Sequence, residues 1–330
     1  MNMAKTPLTR HPVSESGKFG WLLRREFWEH RGGFLWAPVI TGAIVVVLYA
    51  LLAVIGSIAG RKHGGGFNLD EGPQKIHEVV GAFGDGVMLA GVILACVVLA
   101  FVVFFYSLGS LYDDRRDRSV LFWKSLPLSD TQTVLSKAAW ALLLAPLIAL
   151  VVGLLIGVAM WLVTALTMTV NGLSAGGAVF THSHPLRIIG GVIAALPVYI
   201  AWALPTVGWL MFCSAWSRTK PFLWAVLIPI LACVIISMMN ILPGLNLNLG
   251  AVWYVVVFRG LLSVAPGAWY GRIGTSSGNG EINTPEELAN AIDLRDSWHA
   301  FATIDLWIGV VVGLALIAGA VYMRRWRDDN

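Results

Sequence analysis

Two long stretches of this 330-residue chain contain no charged side chain. Residues 86–112 and residues 138–186 lack Asp, Glu, Lys and Arg altogether. A helix needs about 20 consecutive apolar residues to cross a hydrocarbon core about 30 Å thick, and both stretches are longer than that. Only 13% of all residues are charged, whereas about a quarter are charged in a soluble domain. The sequence therefore predicts an all-α, multi-pass membrane protein.

The apolar stretches predict six transmembrane helices. Residues 251–264 are also apolar, but they are too few to span a membrane and they include Arg259. We expect one or two short re-entrant or interfacial helices there, in an outer region of residues 243–299 before the last span. Polar loops are expected at residues 61–85 and 171–187. The predicted spans cover about residues 32–60, 86–112, 139–170, 188–216, 222–242 and 300–323.

Basic residues are distributed unevenly between the two sides of this six-span arrangement. Sixteen of the 23 Lys and Arg residues fall in the two terminal segments, in the loop after the second span and in the turn at 217–221, whereas seven fall on the other side. Short cytoplasmic loops carry an excess of basic residues. The distribution predicts that both termini are cytoplasmic, and it accounts for the net positive charge without nucleic-acid binding.

The N-terminal segment combines a polar tail with an amphipathic helix. Residues 1–17 predict a disordered cytoplasmic tail, and residues 18–31 predict a helix on the membrane surface. A juxtamembrane anchor and a direct contact with a soluble partner both fit this helix. Phe19, Leu23 and Phe27 form one stripe along that helix. The opposite side suits the headgroup layer, and it carries Trp21, Trp28, Arg24 and Arg25.

A charged loop, residues 113–130, separates the two charge-free stretches. Its three leading Asp residues suit the start of a short helix, which Pro127 then ends. Ser129 and Gln132 have the spacing of a capping box, so the next helix is predicted to begin at Asp130. Residues 120–126 are mostly apolar, and in a two-turn helix their side chains would cover nearly the whole circumference. Two interpretations stay open: a solvated loop lying on the lipid interface, and a helix whose free side fills a partner's groove.

The segment from Arg116 to Asp130 (RDRSVLFWKSLPLSD) resembles the first cytoplasmic loop of permease subunits in the type-2 family of ATP-binding-cassette (ABC) transporters. That resemblance implies a coupling helix that docks on a soluble ATPase subunit in a bacterial inner membrane. It also implies two permease subunits, here a homodimer, with two ATPase subunits, and it favours export. The residues that it assigns to ATPase contact are Arg115, Arg116, Asp117, Arg118, Leu121, Phe122, Trp123, Lys124 and Pro127.

Sequence motifs for chemistry are sparse in the chain. It has no G-x-x-x-x-G-K-[ST] stretch, so we expect ATP and Mg²⁺ to bind the partner ATPase, and no enzymatic activity or cofactor in this chain. The three cysteines fall in predicted spans and suggest buried packing, not a disulfide framework. His182 and His184 alone make a weak metal site, so no metal is expected.

The interiors of the predicted spans contain prolines in place of charges. Ion-driven transport usually relies on charges within the membrane, so we expect the energy to come from a partner and the cargo to be hydrophobic or amphipathic. Pro197, Pro205 and Pro229 are candidate hinges. A solitary carrier, and a non-transport anchor or sensor subunit of an envelope-stress complex, remain alternatives.

Overall fold

The computed structural model describes residues 15–62, 73–117, 129–170, 177–240, 247–270 and 296–328. All regular secondary structure in these ranges is helical. The α-helices are α1 Glu15–Arg31, α2 Ala37–Lys62, α3 Pro73–Arg116, α4 Asp130–Ala139, α5 Ala145–Val170, α6 Ala178–His182, α7 Pro185–Trp216, α8 Ile228–Met239, α9 Leu249–Trp253 and α10 Ile304–Asp328. The π-helical segments Gly32–Trp36, Trp140–Leu144, Leu223–Leu227 and Tyr254–Arg259 and the 3₁₀-helix Asp296–Ala302 complete the set.

Five helical runs in the described part of the chain are long and apolar enough to cross a membrane. The prediction of an all-α, multi-pass membrane protein is confirmed at this level. The predicted span at residues 222–242 corresponds to a shorter apolar helix, Leu223–Met239, and a second short helix, Leu249–Arg259, lies in the predicted outer region. The five runs are Ser16–Ala59, His77–Arg116, Asp130–Val170, Pro185–Trp216 and Ile304–Trp326.

Helix boundaries differ from the prediction at both ends of α3. Helix α3 begins at Pro73, so much of the predicted loop at residues 61–85 is helical. Proline suits a helix start because its missing N–H has no partner in the first turn. At the other end Asp113 and Asp114 belong to the last turn of α3, not to the start of a separate helix. The Arg115 side chain holds this turn by donating to the carbonyl groups of Ser214 and Ser217.

Helix α4 begins where the capping box predicts. Ser129 Oγ accepts a hydrogen bond from the Gln132 backbone N–H at 3.2 Å, and Gln132 Oε1 accepts one from the Ser129 N–H at 3.4 Å. Both bonds satisfy N–H groups that have no partner inside the helix. The start at Asp130 is confirmed, and the helical run continues from there to Val170.

Substitution of Ser129 by Ala is expected to lower the free energy of unfolding by about 1 kcal/mol, because the first turn loses a side-chain acceptor. Thermal unfolding of the purified chain in detergent measures the change. Ser129→Asp keeps an acceptor and serves as the matched control. An Ala variant as stable as the wild type, or an Asp variant as unstable as the Ala variant, would contradict this role.

The spans pack closely through glycines. A Cβ added to Gly91 on α3 would lie 2.6 Å from the Gly157 Cα of α5, and one added to Gly208 on α7 would lie 2.6 Å from the Gly313 carbonyl oxygen of α10. Small residues allow such close backbone approach in membrane helices. The main buried core is built largely from α3, α5, α7 and α10 and includes the fully buried Trp202. This packing brings the helix ends on one side of the bundle together.

Candidate functional site

The described residues on either side of the 118–128 segment lie at one end of the bundle. Residues 118–128 themselves lie outside the described residues. Helix α3 ends just before them and α4 begins just after them, while α1 and the last turns of α10 pack against α4. Four helices therefore meet where this loop leaves the membrane-spanning region.

A buried lysine lies at the centre of this meeting point. Lys137 Nζ is 2.9 Å from Glu26 Oε1 on α1 and 3.4 Å from Asp114 Oδ1 on α3. The Lys137 and Glu26 side chains are each only 1% exposed. A buried charge is tolerated only where it is paired, because it has lost its hydration. The three side chains thus depend on one another.

Arg324 extends the network to the last helix. Its Nη1 is 3.5 Å from Asp114 Oδ2, and its Nε is 3.2 Å from Asp130 Oδ1 at the start of α4. Arg25 Nη2 approaches Asp114 Oδ1 at 3.9 Å. We call Glu26, Asp114, Asp130, Lys137 and Arg324 the charge cluster. It connects α1, α3, α4 and α10.

An aromatic layer lies beside the charge cluster. The Tyr106 hydroxyl donates to Glu26 Oε2 at 2.9 Å. Trp140 stacks on Phe34 and on Phe27 with ring centroids 5.0 and 5.7 Å apart, and its Nε1 donates to the Leu23 carbonyl at 2.7 Å. Phe34 and Trp140 belong to two π-helical segments. Such segments are rare and frequently lie at functional sites, so this layer is a further part of the candidate site.

Three of the nine residues assigned to ATPase contact are described. Arg116 and Asp117 are exposed. Arg115 is turned inward, since its guanidinium donates to the Ser217 carbonyl at 3.3 Å, so its internal contacts hold α3 against the end of α7. Its contact with a partner stays a prediction. Arg118, Leu121, Phe122, Trp123, Lys124 and Pro127 lie outside the described residues.

The predicted interfacial helix is α1, which begins at Glu15 and not at residue 18. Trp21 and Trp28 are 68% and 55% exposed, and the guanidinium groups of Arg24 and Arg31 lie over their rings at 5.7 and 5.4 Å. Its position in the headgroup layer stays a prediction, and residues 1–14 of the predicted tail lie outside the described residues. The opposite side, which includes Phe19, Leu23 and Phe27, faces inward together with the fully buried Leu22 and Glu26.

Sequence reasoning missed the central residues of the charge cluster. It used Lys137 and Arg324 only for membrane orientation and assigned no role to Glu26. It also grouped Arg25, which approaches Asp114 of the cluster, with the exposed tryptophans. One signal was available for Glu26, because it lies four residues from Leu22 and next to Phe27, on the inward face of the helix. The partners across helices carried no local signal.

The candidate hinge prolines occupy different environments. Helix α7 runs on through both Pro197, which is exposed, and Pro205, which is buried. Pro229 lies in the first turn of α8 and has no N–H to offer the carbonyl of Ala225, four residues earlier. Trp209 Nε1 of α7 donates to that carbonyl at 3.0 Å. The hinge function of the three prolines stays a prediction.

A second buried cation lies near the other end of α10. Arg259 Nη1 donates to the Trp202 carbonyl at 2.9 Å, and its guanidinium lies 3.8 Å from the Trp202 ring centroid. Its Nε is 3.9 Å from Asp305 Oδ1. Asp305 and Arg324 both belong to α10, and their separation along the helix is about 28 Å at 1.5 Å per residue. The two groups of charges thus lie about one hydrocarbon-core thickness apart.

The two histidines near the start of α7 have separate neighbours. His184 Nδ1 is 3.6 Å from Asp85 Oδ2, whereas the His182 ring lies near that of His77. Among the described residues, no group of three or more His, Cys, Asp or Glu side chains is arranged to hold a metal ion. The candidate functional site is the charge cluster, because its buried ion pairs join four helices on both sides of residues 118–128.

No protein-family model, curated protein or solved structure matches this chain.

Proposed function

We propose that this chain is the permease subunit of an ABC transporter and that residues 113–130 receive motion from a soluble ATPase subunit. The observation that carries the proposal is the charge cluster. It fixes the segments on both sides of residues 118–128 to α1 and α10 through buried ion pairs. A force on the loop is therefore transmitted to α1, α3, α4 and α10 together. All four helices belong to runs that are long enough to span a membrane.

In the proposed mechanism, ATP and Mg²⁺ bind between the partner ATPase subunits, and their closure pushes on the loop. Leu121, Phe122 and Trp123 fill a groove in the partner, while Arg116 and Arg118 make charged contacts. Pro127 and the capped start of α4 pass the displacement to α5. The membrane helices then change between two packings, and the π-helical segments beside Trp140 absorb the change in helix geometry.

The proposal extends to assembly and orientation. Two copies of this chain and two ATPase subunits form the transporter in a bacterial inner membrane, with both chain termini and the 113–130 loop in the cytoplasm. The helix Leu223–Met239 is the fifth span, and Leu249–Arg259 is a re-entrant helix on the outer side. The charge-free interiors of the spans favour a hydrophobic or amphipathic cargo, and the resemblance of residues 116–130 to the permease loop favours export.

Replacement of both Phe122 and Trp123 by Ala is expected to abolish binding of the ATPase, because the groove loses its two largest apolar contacts. The measurement is co-purification: the tagged chain is expressed with the ABC ATPase encoded beside it, isolated from membranes and assayed for vanadate-sensitive ATP hydrolysis. The matched control is Phe222→Ala with Trp224→Ala, two exposed aromatic residues near the turn at residues 217–220. The control is expected to retain the ATPase.

The outcomes separate the proposal from its alternatives. A stable complex with the wild type and the control, lost in the Phe122/Trp123 variant at equal membrane expression, supports docking at this loop. Normal complex formation in the Phe122/Trp123 variant contradicts it. If the wild type retains no ATPase, a solitary carrier or a non-transport scaffold takes the place of the permease.

A further inference from the structure

A cavity of about 700 Å³ lies on one side of the bundle, and none of its described lining residues belongs to the charge cluster. Its walls come from α3, the first turns of α5, the first half of α7 and residues 261–270. This volume falls within the range of about 300–1,000 Å³ that is typical of small-molecule sites. The cavity is therefore large enough for a ligand of substantial size.

The wall of the cavity offers a ligand almost no polar partner. None of the described lining residues is charged. The Tyr199 hydroxyl donates to the Val264 carbonyl at 3.2 Å, Trp269 Nε1 donates to Ser297 Oγ at 3.1 Å, and the Tyr270 hydroxyl is 2.7 Å from the same Ser297 oxygen. These three polar side chains are already paired within the protein. A ligand that needs hydrogen bonds gains little here, and water gains little as well.

The open side of the cavity lies at membrane depth. Ile93, Val97, Phe101 and Phe105 line it and are 48–63% exposed. They are spaced four residues apart, so they form one stripe along α3. The stripe lies within the charge-free residues 86–112 and is about 18 Å long at 1.5 Å per residue. One leaflet contributes about half of the 30 Å hydrocarbon core, so the stripe matches a lipid chain in length.

We propose that this cavity binds one acyl chain of a membrane phospholipid, which enters sideways over the Ile93–Phe105 stripe. An empty apolar cavity loses the dispersion contacts of its lining, and a hydrocarbon chain restores them without requiring hydrogen bonds. Acyl chains are also the molecules that surround the stripe in a bilayer. The proposal concerns binding alone and does not depend on the ATPase.

Photo-crosslinking of the purified full-length chain in nanodiscs tests this site. The probe is a phosphatidylcholine with a diazirine in one acyl chain, and crosslinked peptides are mapped by mass spectrometry. We expect crosslinks on α3 residues 89–105 and on residues 261–270 at several times the yield found on the exposed face of α10. That face reports general lipid contact at the same mole fraction of the probe.

A variant that fills the cavity provides the second arm. Ala100 and Ala265 line the cavity, and their joint replacement by Phe is expected to lower the α3 crosslinks to the level of the α10 face. Ala315 and Ala318 are exposed on α10, and their joint replacement by Phe is the matched control, which is expected to change nothing at α3. The comparison of α3 with the α10 face in the wild type needs no variant, so it gives a result even if the filled variant fails to fold.

Three results would overturn the proposal. One is labelling at α3 that is no stronger than on the α10 face, and another is labelling that persists at full strength in a folded Ala100/Ala265 variant. The third is an absence of lipid crosslinks at α3 together with disulfide formation between two copies of a Val97→Cys variant, because a second copy of the chain then covers the stripe.

Discussion

Replacement of Lys137 by Met is expected to lower the free energy of unfolding by about 3–5 kcal/mol, the range seen when one partner of a buried ion pair is removed. Methionine matches the length of the lysine stem, so the change removes the charge with little loss of volume. Glu26 then loses the ammonium group at 2.9 Å, while Asp114 keeps Arg324 and Arg25. Thermal and denaturant unfolding of the purified chain in detergent measure the effect.

Glu26→Gln in the Lys137→Met background is expected to recover most of the lost stability. A glutamine at position 26 is neutral and its carbonyl still accepts from the Tyr106 hydroxyl. Lys220→Met is the matched control, because Lys220 is exposed in the turn at residues 217–220, and it is expected to change stability little. If the double variant is as unstable as Lys137→Met alone, lost packing and not the unpaired carboxylate explains the effect.

Replacement of Arg259 by Met is expected to lower the free energy of unfolding by about 3 kcal/mol and to loosen the Leu249–Arg259 helix. The guanidinium joins this helix to the carbonyl of Trp202 on α7 and to the backbone carbonyl of Asp305 on α10, at 2.9 and 3.2 Å. Without it, both attachments are lost at once. We expect faster hydrogen exchange in residues 247–270, while α3 and α5 exchange as in the wild type.

Arg259→Lys tests whether the shape of the side chain matters as well as its charge. A single ammonium group does not reproduce a planar guanidinium that donates in two directions and stacks on a ring, so Lys is expected to recover little. Arg187→Met, at an exposed arginine in the first turn of α7, is the control. Wild-type exchange in the Arg259→Met variant would contradict the proposed attachment, and full recovery by Lys would leave charge as the sole requirement.

The sequence by itself determined the class of the protein and several local features. The charge-free residues 86–112 and 138–186 admit few structures other than membrane helices, because a bilayer requires backbone hydrogen bonds to be satisfied within the segment. The start of α4 at Asp130 also followed from the sequence, since Ser129 and Gln132 satisfy backbone groups only three residues away. Such features depend on neighbours along the chain, which a sequence displays directly.

Only the tertiary structure decided which charges meet. Arg324 contacts Asp130 and Asp114, from which it is 194 and 210 residues distant, and Tyr106 contacts Glu26 across 80 residues. The burial of Arg259 against Trp202 and the cavity beside α3 are likewise products of packing between helices. In the sequence the basic residues among them suggested only membrane orientation, because the free energy that selects a buried ion pair arises from desolvation and close contact. Both depend on how the helices pack, and no local pattern along the chain records that packing.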